Sequence, residues 1–256
     1  MGNVISRRLA ASAALAAMFG ASADRAQTVA LDVGHSLAAP GAMSSRGREE
    51  FGFNRELALE IEGELKKEGL KTLLIGADGA QNRLGARGAR ARGTDFFLSV
   101  HHDSVQPHFI ERWEHEGRNL GFSDRYSGFS LFVSRKNKAP RASLACASAI
   151  GAALRGAGFR PSLYHAERIP GESKPFADRA NGVHYYDNLA VLKTAASPAV
   201  LLEAGVIVNR AEELALGELE TRRRIASAVA TGIARCLGSP RPSRQRRLGR
   251  LQLFLG

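Results

Sequence analysis

The sequence predicts a single α/β domain: a twisted, mostly parallel or mixed sheet of about six strands, flanked by helices on both faces. Three observations carry this prediction. Six short, β-prone apolar runs are mostly continuous rather than alternating, as expected of strands buried on both faces. Segments with helical periodicity lie between them. A length of 256 residues and a hydrophobic content of 44% suit one substantial core.

The first strand, 28–33 (TVALDV), stops at Gly34-His35, and a stretch of small residues follows to Ala42. Residues 54–68 place Leu57, Ile61 and Leu65 at four-residue spacing, with charge on the other sides, and Gly69 ends that helix. Strands follow at 70–75 (LKTLLI) and 95–100 (DFFLSV). Residues 104–128 break the alternation; they are polar with scattered aromatics, including the sole tryptophan, Trp113. A fourth strand at 129–134 (FSLFVS) leads into an Ala-rich helix over 140–155, begun by Pro140. Residues 160–188, with Pro161, Pro170 and Pro175, read as loop. Strands at 189–193 (LAVLK) and 198–203 (PAVLLE) complete the sheet, and a helix over 219–237 aligns Ile225, Val229 and Ile233 on one face. Loops as long as 104–128 and 160–188 are usually functional or mobile.

The ends of the chain read differently. A short basic segment precedes a mildly apolar, Ala-rich stretch over 9–23 that ends in Ala21-Ser22-Ala23, a small-x-small cleavage pattern. Residues 1–23 are therefore expected to be an export signal peptide, and Ser6-Arg7-Arg8-Leu9 loosely fits the twin-arginine type. The stretch is too short and too weakly apolar for a membrane span, so no transmembrane anchor is expected. The domain is assigned to 24–238. Residues 239–256 form a basic tail with five arginines, expected to be disordered. The net charge of +11 favours anionic surroundings. No RNP-like, zinc-finger or helix-turn-helix signature accompanies it, so no nucleic-acid partner is expected. Cys146 and Cys236 are too few for a disulfide framework or a cysteine zinc site; they can pair in an oxidising compartment or stay as two buried thiols.

Three apolar runs end in ionisable residues: His35, then His101-His102-Asp103, then Glu203. Glu50, beside Glu49, stands just before the first helix. In open α/β sheets, sites lie beyond the carboxyl ends of strands. Two imidazoles and a carboxylate make a catalytic zinc site with one open position. Zinc brings the pKa of bound water toward neutrality and polarises a carbonyl. A further carboxylate, not bound to the metal, can move the proton to a leaving amine, and Glu203 is placed for that. Each residue alone has an ordinary reading: a loop histidine, an acid favoured by a helix N-terminus, a partner for an arginine. Their joint occurrence at strand ends favours a site. Side-chain alternation sends His101 and His102 to opposite sides, so only one of them should reach the metal.

These motifs, in this order, resemble the zinc-dependent N-acetylmuramoyl-L-alanine amidases, catalytic type 3, from about residue 28 to residue 237. The family's Gly-His-Gly-Gly-x-Asp-Pro-Gly-Ala corresponds to Gly34-His35-Ser36-Leu37-Ala38-Ala39-Pro40-Gly41-Ala42. Its Glu four residues before a helix-opening Asn corresponds to Glu50 and Asn54. Its Ser-Ile-His-Ala-Asn is similar to Ser99-Val100-His101-His102-Asp103, and its Pro-x-x-Leu-x-Glu-x-Gly-Phe-x-x-Asn to the stretch from Pro198 through Glu203 to Asn209. Arg87 falls where the family commonly has an arginine. The resemblance implies His35, Glu50 and His101 as zinc ligands, with Gly34 letting the chain turn, and Glu203 as the catalytic carboxylate. It implies hydrolysis of the amide between N-acetylmuramic acid and L-alanine in peptidoglycan, in the periplasm or at the cell wall. An envelope activator protein is a candidate partner. Ser36 and Leu37 replace two glycines, Ala39 an aspartate, and His102-Asp103 an Ala-Asn pair. Only residues 135–139 separate the fourth strand from its helix, so the regulatory helix of some members is not expected. Residues 104–128 read as a variable surface insertion, with a lid or wall-binding loop as the functional reading. The alternatives are another zinc peptidase acting on stem peptides and a non-catalytic wall-binding protein of the same fold.

Overall fold

The computed structural model describes residues 25–238 apart from residue 82, so the expected signal peptide (1–23) and basic tail (239–256) lie outside the described residues. In chain order the first half runs β1 (Thr28–Val33), α1 (Glu50–Lys67), β2 (Lys71–Ile75), α2 (Leu84–Arg90), β3 (Phe96–Asp103), β4 (Glu111–His115), β5 (Arg118–Phe122) and β6 (Ser130–Val133). The second half runs α3 (Pro140–Gly156), β7 (Phe176–Asp178), β8 (Val183–Tyr185), α4 (Ala190–Thr194), β9 (Ala199–Val206), α5 (Arg210–Gly217) and α6 (Leu219–Leu237).

Seven strands form one mixed sheet in the order β2-β1-β3-β9-β6-β8-β7. The first four are parallel, β6 runs antiparallel to β9, β8 is parallel to β6, and β7 is antiparallel to β8. Alternation along the continuous apolar strands supplies two cores. Val29, Leu31 and Val33 face the side covered by α1, α3 and α6. Ala30, Phe97 and Leu201 face α4, where Val191 and Leu192 are buried. Helix α1 buries Phe53, Leu57, Ile61 and Leu65, each contributing roughly 1.5–3 kcal/mol.

The strands expected at 28–33, 70–75, 95–100, 129–134 and 198–203 are present; β3 and β9 continue further, to Asp103 and Val206. The run at 189–193 is not a strand but lies mostly in the short helix α4. A helical turn buries Val191, Leu192 and Ala195 while leaving Lys193 exposed. A short apolar run fits a buried strand or a buried helix equally well. Helix α1 begins at Glu50 rather than at residue 54. Residues 104–128 contain an antiparallel hairpin, β4–β5, and the stretch 160–188 contributes β7 and β8. The hairpin turn is Glu116-Gly117, both residues left-handed at φ 51° and 72°, the geometry that matches strand twist in a two-residue loop.

Helices α3 and α6 pack closely because Gly232 leaves room for the backbone of Ile150. There Cys146 and Cys236 form a disulfide, with Cα atoms 5.0 Å apart and a sequence separation of 90. Closing a loop of that length stabilises a domain by about 2–5 kcal/mol. A double serine variant is expected to lose that amount in urea denaturation, and an unchanged midpoint would show that the bond contributes nothing. Among the described residues, no helix is long and apolar enough to cross a membrane.

Candidate metal centre

Parallel pairing brings the carboxyl ends of β1, β3 and β9 to one rim of the sheet. Val33 lies opposite Val100, and His101 lies opposite Glu203. Beyond β1 the Gly34 amide donates to Val100 O at 3.0 Å. His35 then takes a left-handed conformation, φ 67°, which is uncommon outside glycine and concentrates at functional sites. Gly34 itself is not left-handed, which corrects the expected role of that residue as the turn. A Cβ there would overlap the His101 imidazole. Glycine is needed for ring packing, and His35 makes the turn.

The structure brings three of the expected residues together. Glu50, the first residue of α1, sits between the two rings: His35 Nε2 is 3.0 Å from Glu50 Oε2, and His101 Nδ1 is 3.0 Å from Glu50 Oε1. One potential ligand atom from each residue lies within 4.8 Å of the others. The carboxylate also accepts from Asn54 Nδ2 at 3.0 Å, from the Ala42 amide at 3.1 Å and from the His102 amide at 3.3 Å. Burial opposes its charge, yet hydrogen bonds from His101 and His35 hold its pKa well below the usual carboxylate range. Burial likewise opposes charge on His35, and Glu50 outweighs it, raising the His35 pKa. Glu49 is exposed and N-terminal to the helix.

Glu203 occupies the neighbouring strand. Its Oε2 is buried with no hydrogen-bond partner. Burial, and then the charges of Asp103 and Glu50, push its pKa well above the usual value. His102 turns away from the cluster, as alternation requires. It is fully buried, its Nδ1 lies 2.8 Å from Asn54 Oδ1, and burial lowers its pKa to about 3. It supports Asn54, which in turn holds Glu50 and Gly34 O.

Two supports were poorly marked in the sequence. Arg87 is fully buried; its guanidinium pairs with Asp32 at 2.7 Å and donates to the carbonyls of Val33, His35 and Gln81. It fixes the turn that presents His35. Asp32 also accepts from Ser99 Oγ at 2.7 Å. The second support is His165, which sits between Asp103 (2.7 Å) and Glu172 (2.8 Å). Burial opposes its charge, but these two carboxylates raise its pKa to about 9. The pair of contacts ties the segment after α3 to the end of β3. Only the family position flagged Arg87, and nothing in the sequence linked His165 to Asp103.

The donor set fits zinc. Two imidazoles and one carboxylate converge, and an unpartnered carboxylate oxygen lies on the adjacent strand. That composition leaves room for a fourth, exchangeable ligand.

Residues 29–235 match the family described as N-acetylmuramoyl-L-alanine amidase. The chain is 24% identical over 238 residues to the N-acetylmuramoyl-L-alanine amidase AmiC of Neisseria meningitidis serogroup B, covering 84% of this chain and 54% of that protein. It thus spans about half the length of that relative. It is 27% identical over 217 residues to the amidase AmiA of Salmonella typhimurium, covering 80% of this chain and 74% of that one. In fold it is similar to the N-acetylmuramyl-L-alanine amidase Ami1 from Mycobacterium smegmatis, with TM-score 0.66, 23% identity and coverage of 84% and 98%. The catalytic domain of CwlV, an N-acetylmuramoyl-L-alanine amidase from Bacillus (Paenibacillus) polymyxa, gives TM-score 0.63, 26% identity and coverage of 84% and 99%.

Proposed function

Since the chain belongs to the N-acetylmuramoyl-L-alanine amidase family, we propose that it is a zinc-dependent amidase. Its substrate would be the peptidoglycan amide between the lactyl group of N-acetylmuramic acid and L-alanine of the stem peptide. The observation that carries this reading is the convergence of His35, Glu50 and His101 beside the unpartnered Glu203 carboxylate. His35, Glu50 and His101 would hold the metal. When bound there, zinc polarises the scissile carbonyl and acidifies a water molecule. As the oxygen of that water bonds to the scissile carbon, Glu203 would take the proton the water gives up and hold it at the buried Oε2, where burial disfavours the charged form. It then delivers that proton to the alanine nitrogen as the amide breaks. Asn54 and the Ala42 amide orient the Glu50 carboxylate, and Arg87 orients His35 through its carbonyl.

The reading places the enzyme in the periplasm or at the cell wall, exported by residues 1–23. The Cys146–Cys236 disulfide supports an oxidising compartment. An envelope activator protein is a partner to seek.

The test is incubation of residues 24–256 with peptidoglycan, with zinc or with a chelator, and identification of the products by mass spectrometry. Whole stem peptides with a free L-alanine amine are expected, lost on chelation and restored by zinc. Stem peptides shortened only at their carboxyl end would identify a carboxypeptidase instead. Absence of bound zinc would point to a wall-binding protein.

A further inference from the structure

A groove of about 600 Å³ opens beside the candidate metal centre. It begins at Ala42, whose amide holds Glu50, and runs along hairpin β4–β5. Val105, Ile110 and Val208 give it apolar walls, and no aromatic ring lines it. Its one charged lining side chain is Arg112. The Arg112 Nε donates to Asn119 Oδ1 at 3.1 Å, and Nη2 donates to the Asn119 carbonyl at 3.0 Å. Among the described residues, no carboxylate makes an ion pair with it. The guanidinium is thus held in place while its charge is left unpaired.

The opposite face of the hairpin does different work. Trp113 donates from Nε1 to Ser45 O at 2.9 Å and lies against the guanidinium groups of Arg46 (5.3 Å) and Arg210 (5.2 Å). Trp113 fastens the hairpin to the loop that leads into Glu50, which leaves Arg112 on the groove side.

Resting on the amidase reading, the geometry points to this groove as the subsite for the peptide part of the substrate, with Arg112 pairing with a free carboxylate beyond the scissile amide. Apolar walls suit small side chains such as the alanine methyl. A fixed guanidinium suits a carboxylate, which it can bind through two parallel hydrogen bonds. A glycan strand would instead call for aromatic faces, which the groove lacks.

The test uses the zinc-loaded full chain and two ligands that differ only in charge: N-acetylmuramyl-L-alanyl-D-glutamate and its diamide, which has no free carboxylate. Binding is measured by calorimetry in a Glu203→Gln background, with and without Arg112→Ala, and hydrolysis is measured with Glu203 intact. Arg112→Ala is expected to weaken binding of the acid about tenfold and raise its KM similarly, with the amide unaffected and the thermal midpoint unchanged. Arg112→Lys should restore part of the loss. An equal loss for both ligands, no loss for the acid, or no binding of either ligand before Arg112 is changed would overturn the assignment. Should the acid bind through Arg112 while neither ligand is hydrolysed, the amidase reading fails and the groove remains an acidic-peptide site.

Discussion

Glu203→Gln is expected to lower kcat on peptidoglycan by about 100- to 10,000-fold, the range for losing a positioned general acid–base group. Bound zinc, measured by atomic absorption, should stay at the wild-type level, because Glu203 is not among the three clustered residues proposed to hold it. The same substitution should stabilise the metal-free protein at neutral pH. Burial, together with Asp103 and Glu50, raises the Glu203 pKa in the folded state above its unfolded value. Over the pH range between those two values the folded chain holds a proton that the unfolded chain releases, so wild-type stability falls as pH rises. Glutamine has no proton to lose. The advantage of the variant should therefore be small near pH 4, about the unfolded value, and grow as pH rises through the folded pKa. Thermal midpoints with chelator at about pH 4 and about pH 8 check this. A wild-type midpoint at pH 8 equal to or above that of the variant would contradict the account of Glu203 as a carboxyl group whose charge is disfavoured by burial and by Asp103 and Glu50.

Arg87→Met is expected to destabilise the domain by about 3–5 kcal/mol, because Asp32 would remain buried without its counter-charge. It should also weaken zinc binding by about 10–100-fold, the usual cost of losing a group that orients a ligand. Arg87 holds the carbonyls of Val33 and His35, so its loss frees a turn that depends on an unfavourable His35 φ. The double variant Arg87→Met/Asp32→Asn separates the two effects. Removing the stranded charge should recover much of the stability, while zinc affinity stays low. Equilibrium denaturation and competition with a chromophoric chelator measure each part. Recovery of zinc affinity along with stability would mean that Arg87 acts only through the fold.

The rim that carries His35, His101 and Glu203 was legible because continuous apolar runs announce where buried strands stop, and these residues follow those stops; Glu50, which joins the two histidines, was placed by the resemblance. Parallel pairing then carries the three to one rim, as the alternation of strands and helices implies. Alternation allowed only one of His101 and His102 on the cluster side, and the resemblance pointed to His101; in the structure His102 lies against Asn54. What was not legible depends on contacts between distant segments. The run at 189–193 has strand-like composition, and only its packing against the second face makes it helical. The turn Glu116-Gly117 lacks the usual Asn-Gly or Asp-Gly signal, so nothing local in the sequence marks the hairpin around Trp113. β7 and β8 have three residues each, too few to show a period. The pairing of Cys146 with Cys236 follows from the packing of α3 on α6, which sequence spacing does not reveal.

His101 and Glu203 face each other across β3 and β9, at the centre of the sheet. Their spacing is therefore set by the backbone ladder and not by side-chain packing. Separating them means breaking the middle of the domain, an opening that costs nearly the full free energy of unfolding. Hairpin β4–β5 pairs only with itself and is fastened by side chains such as Trp113, so it belongs to the part of the chain that opens at small cost. Any opening of the hairpin would therefore leave the separation of His101 and Glu203 unchanged.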